Sequence, residues 1–116
     1  MTELEIQTGF RNRLRYVAPQ VSMVAVPNAA KRSHWAARQA KLEGLATGFP
    51  DCFCLWPGAG ICFLEFKTAK GRLSENQAEW IERLDQRGHR VAVVRSVDDA
   101  IDFLRACGAP VMQQTA

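Results

Sequence analysis

The residues of this chain best suited to chemistry are an acid and a lysine near its middle. Glu65 and Lys67 end an apolar run, Ile61-Cys-Phe-Leu-Glu-Phe-Lys67, that is typical of a β-strand. Side chains alternate between the two faces of a strand, so Glu65 and Lys67 share one face. Charges at the end of a buried strand are costly unless they are paired or bind a metal ion. A salt bridge or a fraying strand end accounts for this pair as well as a catalytic site does.

Asp51 adds a second carboxylate to the pair. It opens another strand-like run, Asp51–Trp56, which a hairpin loop at Pro57-Gly-Ala-Gly60 joins to the first. If the loop has three or five residues, Asp51 falls opposite Glu65, with their Cβ atoms about 5 Å apart. Two carboxylates that close repel each other unless a cation lies between them, and oxygen ligands suit Mg²⁺ or Mn²⁺. With Lys67 to orient or deprotonate water, or to neutralise charge on a phosphate, the group predicts metal-dependent phosphodiester hydrolysis.

Two predicted helices add an acid and an amide. Thr2-x-x-Glu5 is a capping box, and Glu3 falls within the apolar stripe of the helix that follows, whereas Glu5 faces solvent. Gln77 completes a second capping box with Ser74 and points with the apolar stripe of its own helix. Simpler explanations exist, since Glu3 suits the positive end of a helix and Gln77 suits a cap. We expect both side chains to face the acid pair.

Caps and periodicity predict the other elements. Helices are predicted to begin near Thr2, Ser33, Ser74 and Ser96, and strands to cover 21–26, 51–56, 61–67 and 90–95. The order α-β-α-β-β-α-β-α predicts an α/β fold, a mixed β-sheet flanked by helices. We expect one domain over residues 1–116, with a frayed tail from Gly108.

Composition narrows the class of protein. No apolar run is long enough to span a membrane and the N-terminus has no signal-peptide pattern, so we expect a cytoplasmic protein without a membrane partner. Net charge is +3, and residues 1–48 hold seven of the 15 Lys and Arg but only three of the 12 acids. This excess is a modest indication of a polyanionic partner.

The cysteines do not predict a zinc site. Cys52-x-Cys54 has the wrong spacing for a zinc knuckle, and the two histidines lie far apart in sequence. We expect reduced thiols in the core, without zinc.

The motif Gly48-Phe-Pro-Asp51 followed by Phe63-Leu-Glu65-Phe-Lys67 resembles the PD-(D/E)xK signature of restriction-endonuclease-like nucleases. The wider pattern, from residue 3 to about 105, is similar to the virus-type replication-repair nuclease (VRR-NUC) domain. The further matching features are Glu3-x-x-x-Gln7, Val26-Pro-Asn28 with Lys31-Arg32, Glu43-Gly44, Gly71-Arg-Leu-Ser74, Gln77-x-x-Trp80, Gly88 and Val91-Ala-Val-Val-Arg-Ser96.

The resemblance implies a restriction-endonuclease-like fold and a metal site. Its ligands would be Glu3, Asp51, Glu65 and the Phe66 carbonyl, with catalytic Lys67 and Gln77 completing the site. It also implies that small stand-alone members, often from phages or bacteria, act in DNA repair as homodimers on branched DNA such as four-way (Holliday) junctions.

Several basic or polar residues are candidates for binding DNA phosphates without reading bases. They are Asn28, Lys31, Arg32, Lys70 and Arg72. Arg38 and Lys41 fit a solvated surface equally well. Trp35 could stack on a base, but core or subunit packing is the favoured interpretation.

Three alternatives stay open. The same chemistry could act on flaps, nicks or single strands. A DNA-binding subunit could use this fold without cleavage, although intact Asp51, Glu65, Lys67 and Gln77 argue against it. A plain α/β interaction module would leave the inward-facing Glu3 and Gln77 unexplained.

Overall fold

A computed structural model describes residues 1–27 and 33–113 of the chain. The order of elements in this part is the predicted one. The elements are α1 (Glu3–Val17), β1 (Ser22–Ala25), α2 (His34–Leu42), β2 (Cys52–Trp56), β3 (Gly60–Phe66), α3 (Glu75–Gln86), β4 (Val91–Val94) and α4 (Val97–Ala106). The α/β prediction is confirmed.

The strands form one mixed sheet in the order β1-β2-β3-β4. Neighbouring strands from β1 to β3 are antiparallel, and β4 joins β3 in parallel after the crossover through α3. Trp56 pairs with Gly60, so the hairpin loop has the three residues 57–59, and Ala59 has a φ of 62°. An odd loop of this length sets the register predicted from the sequence, in which odd-numbered positions of β2 and β3 share one face.

The even-numbered face of β2 and β3 carries the main core. The ring of Phe66 on β3 lies 5.8 Å from the ring of Phe10 on α1, and Leu64 is fully buried between the helices and the sheet. α4 packs beside α1 through Ile101 and Leu104. Burying the side chain of one such residue contributes about 1.5–3 kcal/mol, so this face supplies most of the apolar stabilisation.

The odd-numbered face is covered by α3 through an aromatic cluster. The Phe49 ring centroid lies 5.7 Å from that of Phe63 on β3 and 5.1 Å from that of Trp80 on α3, in edge-on geometry. The Arg83 guanidinium lies 4.4 Å above the Trp80 ring. These contacts fix α3 relative to the strand that carries Glu65.

Gly48 lets the start of α3 approach the loop before β2. Its φ is +85°, and a Cβ built on it would lie 2.7 Å from the main-chain carbon of Asn76 and 2.8 Å from the nitrogen of Gln77. Only glycine combines this left-handed conformation with such a close approach. The first turn of α3 therefore lies directly against the segment that leads into Asp51.

The C-terminal segment does not fray where the sequence suggested. Ala109 is buried, and the Met112 amide donates to the Val17 carbonyl over 2.7 Å, which ties the segment to the end of α1. The expectation of a frayed tail from Gly108 is therefore wrong for residues 109–112. Apolar contact with the core outweighs the entropy of the chain end there.

The four cysteines are free thiols buried on the even-numbered face or beside it, as expected for core residues. Burial raises the pKa of the Cys107 thiol to about 11, which keeps it protonated. In the part of the chain that the structure describes, no helix has the length and apolar character to cross a membrane.

Gly48→Ala should destabilise the protein more than Gly58→Ala. Both glycines have a φ of +85°, but a Cβ at Gly58 would meet no atom within 4 Å. Both variants introduce the same backbone strain, but only Gly48→Ala also produces a collision with α3. Gly48→Ala should therefore lower the free energy of unfolding by about 1–3 kcal/mol more than Gly58→Ala does. Urea denaturation of the two variants measures the difference, and equal losses would contradict the close packing of α3 on Gly48.

Candidate active site

Asp51 lies level with Glu65 at the end of the hairpin. Cys52 pairs with Leu64, and one further step of the same register aligns Asp51 with Glu65 on the odd-numbered face. The Asp51 carboxylate bridges to β3, where its Oδ2 accepts a hydrogen bond from the Phe66 amide over 2.8 Å. The aspartate is therefore held at the strand end by the neighbouring strand.

Glu65 is a buried carboxyl group beside another carboxyl group. It is only 1% exposed. Burial, and then repulsion from Asp51, raise the pKa of Glu65 to about 8, against a smaller opposite effect of Lys67. Ionising Glu65 is therefore unfavourable until a positive charge reaches the acid pair.

Gln77 caps α3 and contacts Glu65 with opposite ends of one amide. Its Oε1 accepts from the Ser74 amide over 2.8 Å, which completes the capping box. Its Nε2 donates to Glu65 Oε2 over 3.2 Å. Because the cap fixes the orientation of the amide, the NH₂ group must point towards the carboxyl. One side chain therefore both caps α3 and donates to the acid pair.

Lys67 lies between two acids without a short contact to either. Its Nζ is 3.7 Å from Glu3 Oε2 and 4.0 Å from Glu65 Oε2, and the residue is 7% exposed. Its main chain extends the pairing with β4, since the Lys67 amide donates to the Val94 carbonyl over 3.0 Å. The strand pairing therefore sets the position of Lys67, and its ammonium group interacts with the two acids through charge at distances longer than a hydrogen bond.

Glu3 reaches Lys67 from the side of the sheet opposite to that of Gln77. The apolar stripe of α1 packs on the even-numbered face with Phe66, whereas Gln77 comes from α3 on the odd-numbered face. Side chains from both helices therefore reach the end of β3. Glu3 was expected to face the acid pair. Its carboxylate lies 3.7 Å from Lys67 Nζ, and 42% of its side chain is exposed.

The donor set suits a hard divalent cation, although the described residues do not form a complete set of ligands around one point. Within residues 1–27 and 33–113, no three acidic, histidine or cysteine side chains are grouped closely enough to hold a metal ion. Asp51 and Glu65 nevertheless adjoin each other, and their repulsion is the kind that a cation relieves. Carboxylate oxygens are the ligands that Mg²⁺ and Mn²⁺ prefer.

The main chain of Phe66 adds a further oxygen at the same place. The amides of Lys67 and Phe66 point to opposite sides, towards β4 and Asp51 respectively, so the Phe66 carbonyl also lies on the β2 side. Two further steps of the register bring Pro50 level with Phe66. Because proline has no N–H, it cannot donate to this carbonyl, and the ladder ends there.

A clamp that the sequence did not reveal holds the loop after β3. The Arg95 Nη1 donates to the carbonyls of Thr68 and Gly71, each over 2.7 Å. This loop carries Lys70 and Arg72, which are both exposed as expected for phosphate contacts. Arg95 was visible only as part of a family pattern, because its partners are main-chain atoms of a distant segment.

The sequence also predicted three other residues to bind phosphates. Asn28, Lys31 and Arg32 lie outside the described residues.

The sequence and the fold both match one family of proteins. The family model of the VRR-NUC domain matches residues 3–98. The chain belongs to the VRR-NUC family. Membership makes it a nuclease-type domain whose class of substrate is DNA. Among curated protein sequences, none matches the chain at a significant level.

Two solved structures share the VRR-NUC fold of this chain. A "VRR_NUC domain protein" superposes with a TM-score of 0.71 at 21% identity, covering 99% of this chain and 98% of its own. A second, a "VRR_NUC domain", has a TM-score of 0.62 at 21% identity and covers 91% of this chain and 97% of its own. At this identity the likeness concerns the fold.

The stability of this VRR-NUC domain should fall as the pH rises from about 4.5 to about 8. Burial raises the pKa of Glu65 above its ordinary value of 4.5, so the folded state binds more protons than the unfolded state in that window. The stabilisation is complete below the lower value and lost as the pH passes the upper one. Glu65→Gln should remove this slope and raise the Tm at pH 8 by several degrees, roughly 4 °C per kcal/mol.

Thermal unfolding at pH 5, 6, 7 and 8 without divalent cations measures the slope. Glu79→Gln is the matched control, because it removes an exposed carboxylate of α3. If Glu65→Gln and Glu79→Gln follow the wild-type pH dependence equally, Glu65 does not carry the repulsion described.

Proposed function

We propose that this VRR-NUC domain is a Mg²⁺- or Mn²⁺-dependent DNA endonuclease that hydrolyses phosphodiester bonds. One observation carries the proposal, namely the convergence of acids, a lysine and an amide on the end of β3. The contacts run from Gln77 to Glu65 over 3.2 Å and from Lys67 to Glu65 and Glu3 over 4.0 and 3.7 Å. A structural salt bridge would not need a buried carboxyl group placed beside Asp51.

The acids and one carbonyl would hold the cation. Asp51 and Glu65 provide adjoining oxygens, the Phe66 carbonyl lies on the same side, and Glu3 would join them by leaving Lys67. When bound, the cation supplies Lewis-acid polarisation of the phosphate and offsets its negative charge. The raised pKa of Glu65 supports this assignment, because a nearby positive charge favours its ionised form.

Lys67 and Gln77 would act on the reacting groups and on their orientation. Lys67 can donate hydrogen bonds to a phosphate oxygen or orient the attacking water, since its contacts with the two acids exceed ordinary hydrogen-bond length. Gln77 would keep Glu65 in one orientation through the amide that the helix cap fixes. Lys70 and Arg72, on the loop held by Arg95, would contact phosphates and position the DNA.

The finer substrate follows from the family resemblance. We propose branched DNA such as a four-way junction, cleaved by a homodimer in the cytoplasm of a bacterial or phage-infected cell. A domain of 116 residues covers little of a junction by itself, so two copies fit such a substrate better than one.

Lys67→Ala should lower the rate of DNA cleavage by about 100-fold or more, because it removes the cationic donor next to the acid pair. The substrates are linear, flapped and four-way-junction DNA of equal length, each in Mg²⁺, Mn²⁺ or EDTA. Arg15→Ala is the control, since it removes an exposed cationic side chain in the last turn of α1, at the opposite end of that helix from Glu3. Thermal unfolding checks that both variants fold.

Cleavage that survives EDTA, or that Lys67→Ala leaves unchanged, would contradict the mechanism. Binding of the junction without cleavage in any metal would favour a DNA-binding subunit. Faster cleavage of the linear duplex than of the junction would overturn the preference for branched DNA.

Cation binding has a readout that does not depend on cleavage. Mg²⁺ should raise the Tm of the wild type at pH 8, because it relieves the repulsion between Asp51 and Glu65. Glu65→Gln should lose most of this increase, whereas Glu79→Gln should keep it. An equal increase in all three proteins would place the cation elsewhere.

A further inference from the structure

α2 presents a large apolar side chain to solvent. The helix packs on the rest of the chain through small residues, with Ala40 buried and Ala36 half-buried. Trp35 is 71% exposed and Leu42 is 76% exposed. Of the two interpretations favoured from the sequence for Trp35, core packing is wrong and subunit packing is untested. An exposed tryptophan leaves a large apolar area in water and is typical of a contact surface.

The same helix is positively charged and contains no acid. Its sequence, His34-Trp-Ala-Ala-Arg-Gln-Ala-Lys-Leu42, carries Arg38 and Lys41, and Glu43 follows only at the C-terminal cap. His34, Arg38 and Lys41 line one groove together with Ala37. At helical spacing, Arg38 also lies next to Trp35, three positions away on the exposed side.

We propose that α2 is a DNA-contact helix, in which Trp35 stacks on an unpaired base while Arg38 and Lys41 bind the flanking phosphates. Aromatic side chains next to cationic ones are the combination that holds single-stranded DNA, since every base has a stacking face and every nucleotide has a phosphate. The inference rests on the proposed function and deepens it by naming a feature of the substrate, a base that is unpaired at or near the branch point.

Charge favours DNA over a second copy of the chain as the occupant of this face. A two-fold contact centred on α2 would bring Arg38 and Lys41 close to the same residues of the other copy. The helix offers no acid to compensate them, so like charges would repel. A polyanion meets the same side chains with opposite charge, and the bases beside its phosphates provide a partner for the indole ring.

Base stacking predicts which forms of DNA should bind less tightly when Trp35 is replaced. Bases in a closed duplex are already stacked on each other, so an indole ring gains a partner only where a base is unpaired. Contacts to phosphates act on every form of DNA and depend on salt. Replacing Trp35 should therefore weaken binding of DNA with unpaired bases, whereas replacing Arg38 and Lys41 should weaken binding of every form of DNA.

The test measures binding of two fluorescent DNAs, a blunt duplex and the same duplex with a three-thymine bulge. Lys67→Ala protein in Mg²⁺ serves as the background, so that cleavage does not consume the probe. Adding Trp35→Ala should weaken binding of the bulged DNA by about 10-fold or more and that of the blunt duplex by less than about twofold. Arg38→Gln with Lys41→Gln should weaken both and lower the slope of log affinity against log salt by about 2.

Tyr16→Ala is the matched control, because Tyr16 is an aromatic residue of α1 that is 78% exposed. It should leave the preference for bulged DNA unchanged. An equal effect of Tyr16→Ala and Trp35→Ala, or an equal loss on both DNAs with Trp35→Ala, would overturn the assignment.

Size-exclusion chromatography with light scattering completes the test. If Trp35→Ala converts a dimer into a monomer, the face belongs to a second copy and the proposal is wrong. Because binding is the readout, absence of cleavage by the wild type would refute the nuclease proposal and leave this one testable.

Discussion

A carboxyl group buried beside a second carboxyl group is unfavourable, and three neighbouring side chains surround Glu65 in that position. The strand pairing holds Asp51 level with it, the Gln77 amide donates to it from α3, and Lys67 provides the nearest positive charge. Replacing the arrangement with apolar side chains would remove the repulsion. The proposed cation site would account for the arrangement, because a cation between the two carboxylates relieves their repulsion.

At the end of β3, side chains from the two sides of the sheet contribute to one site. α1 covers the even-numbered face and α3 covers the odd-numbered face, so the sheet separates their side chains along most of its length. Beyond the last strand pairing, Glu3 can reach around to Lys67 while Gln77 reaches Glu65 from the other face. Polar groups gather at this edge because the apolar core ends there.

Local signals in the sequence predicted most of this fold. Capping boxes located the starts of α1 and α3, and an odd hairpin loop set the register of Asp51 and Glu65. Helix periodicity predicted that Glu3 and Gln77 point inward, but it could not predict that their helices lie on opposite faces, because that depends on the path of the chain between elements. The Arg95 clamp and the exposure of Trp35 depend on distant contacts in the same way.

Gln77 illustrates how a site can restrict a residue that local structure leaves free. A capping box accepts Glu as readily as Gln at its third position, because only an acceptor oxygen is needed there. Glutamate at this position would direct its second oxygen at Glu65 and add one more negative charge to the acid pair, whereas glutamine directs a donor at it. Substitution at position 77 is therefore limited by what the neighbouring strand carries, and helix propensity alone would not reveal that limit.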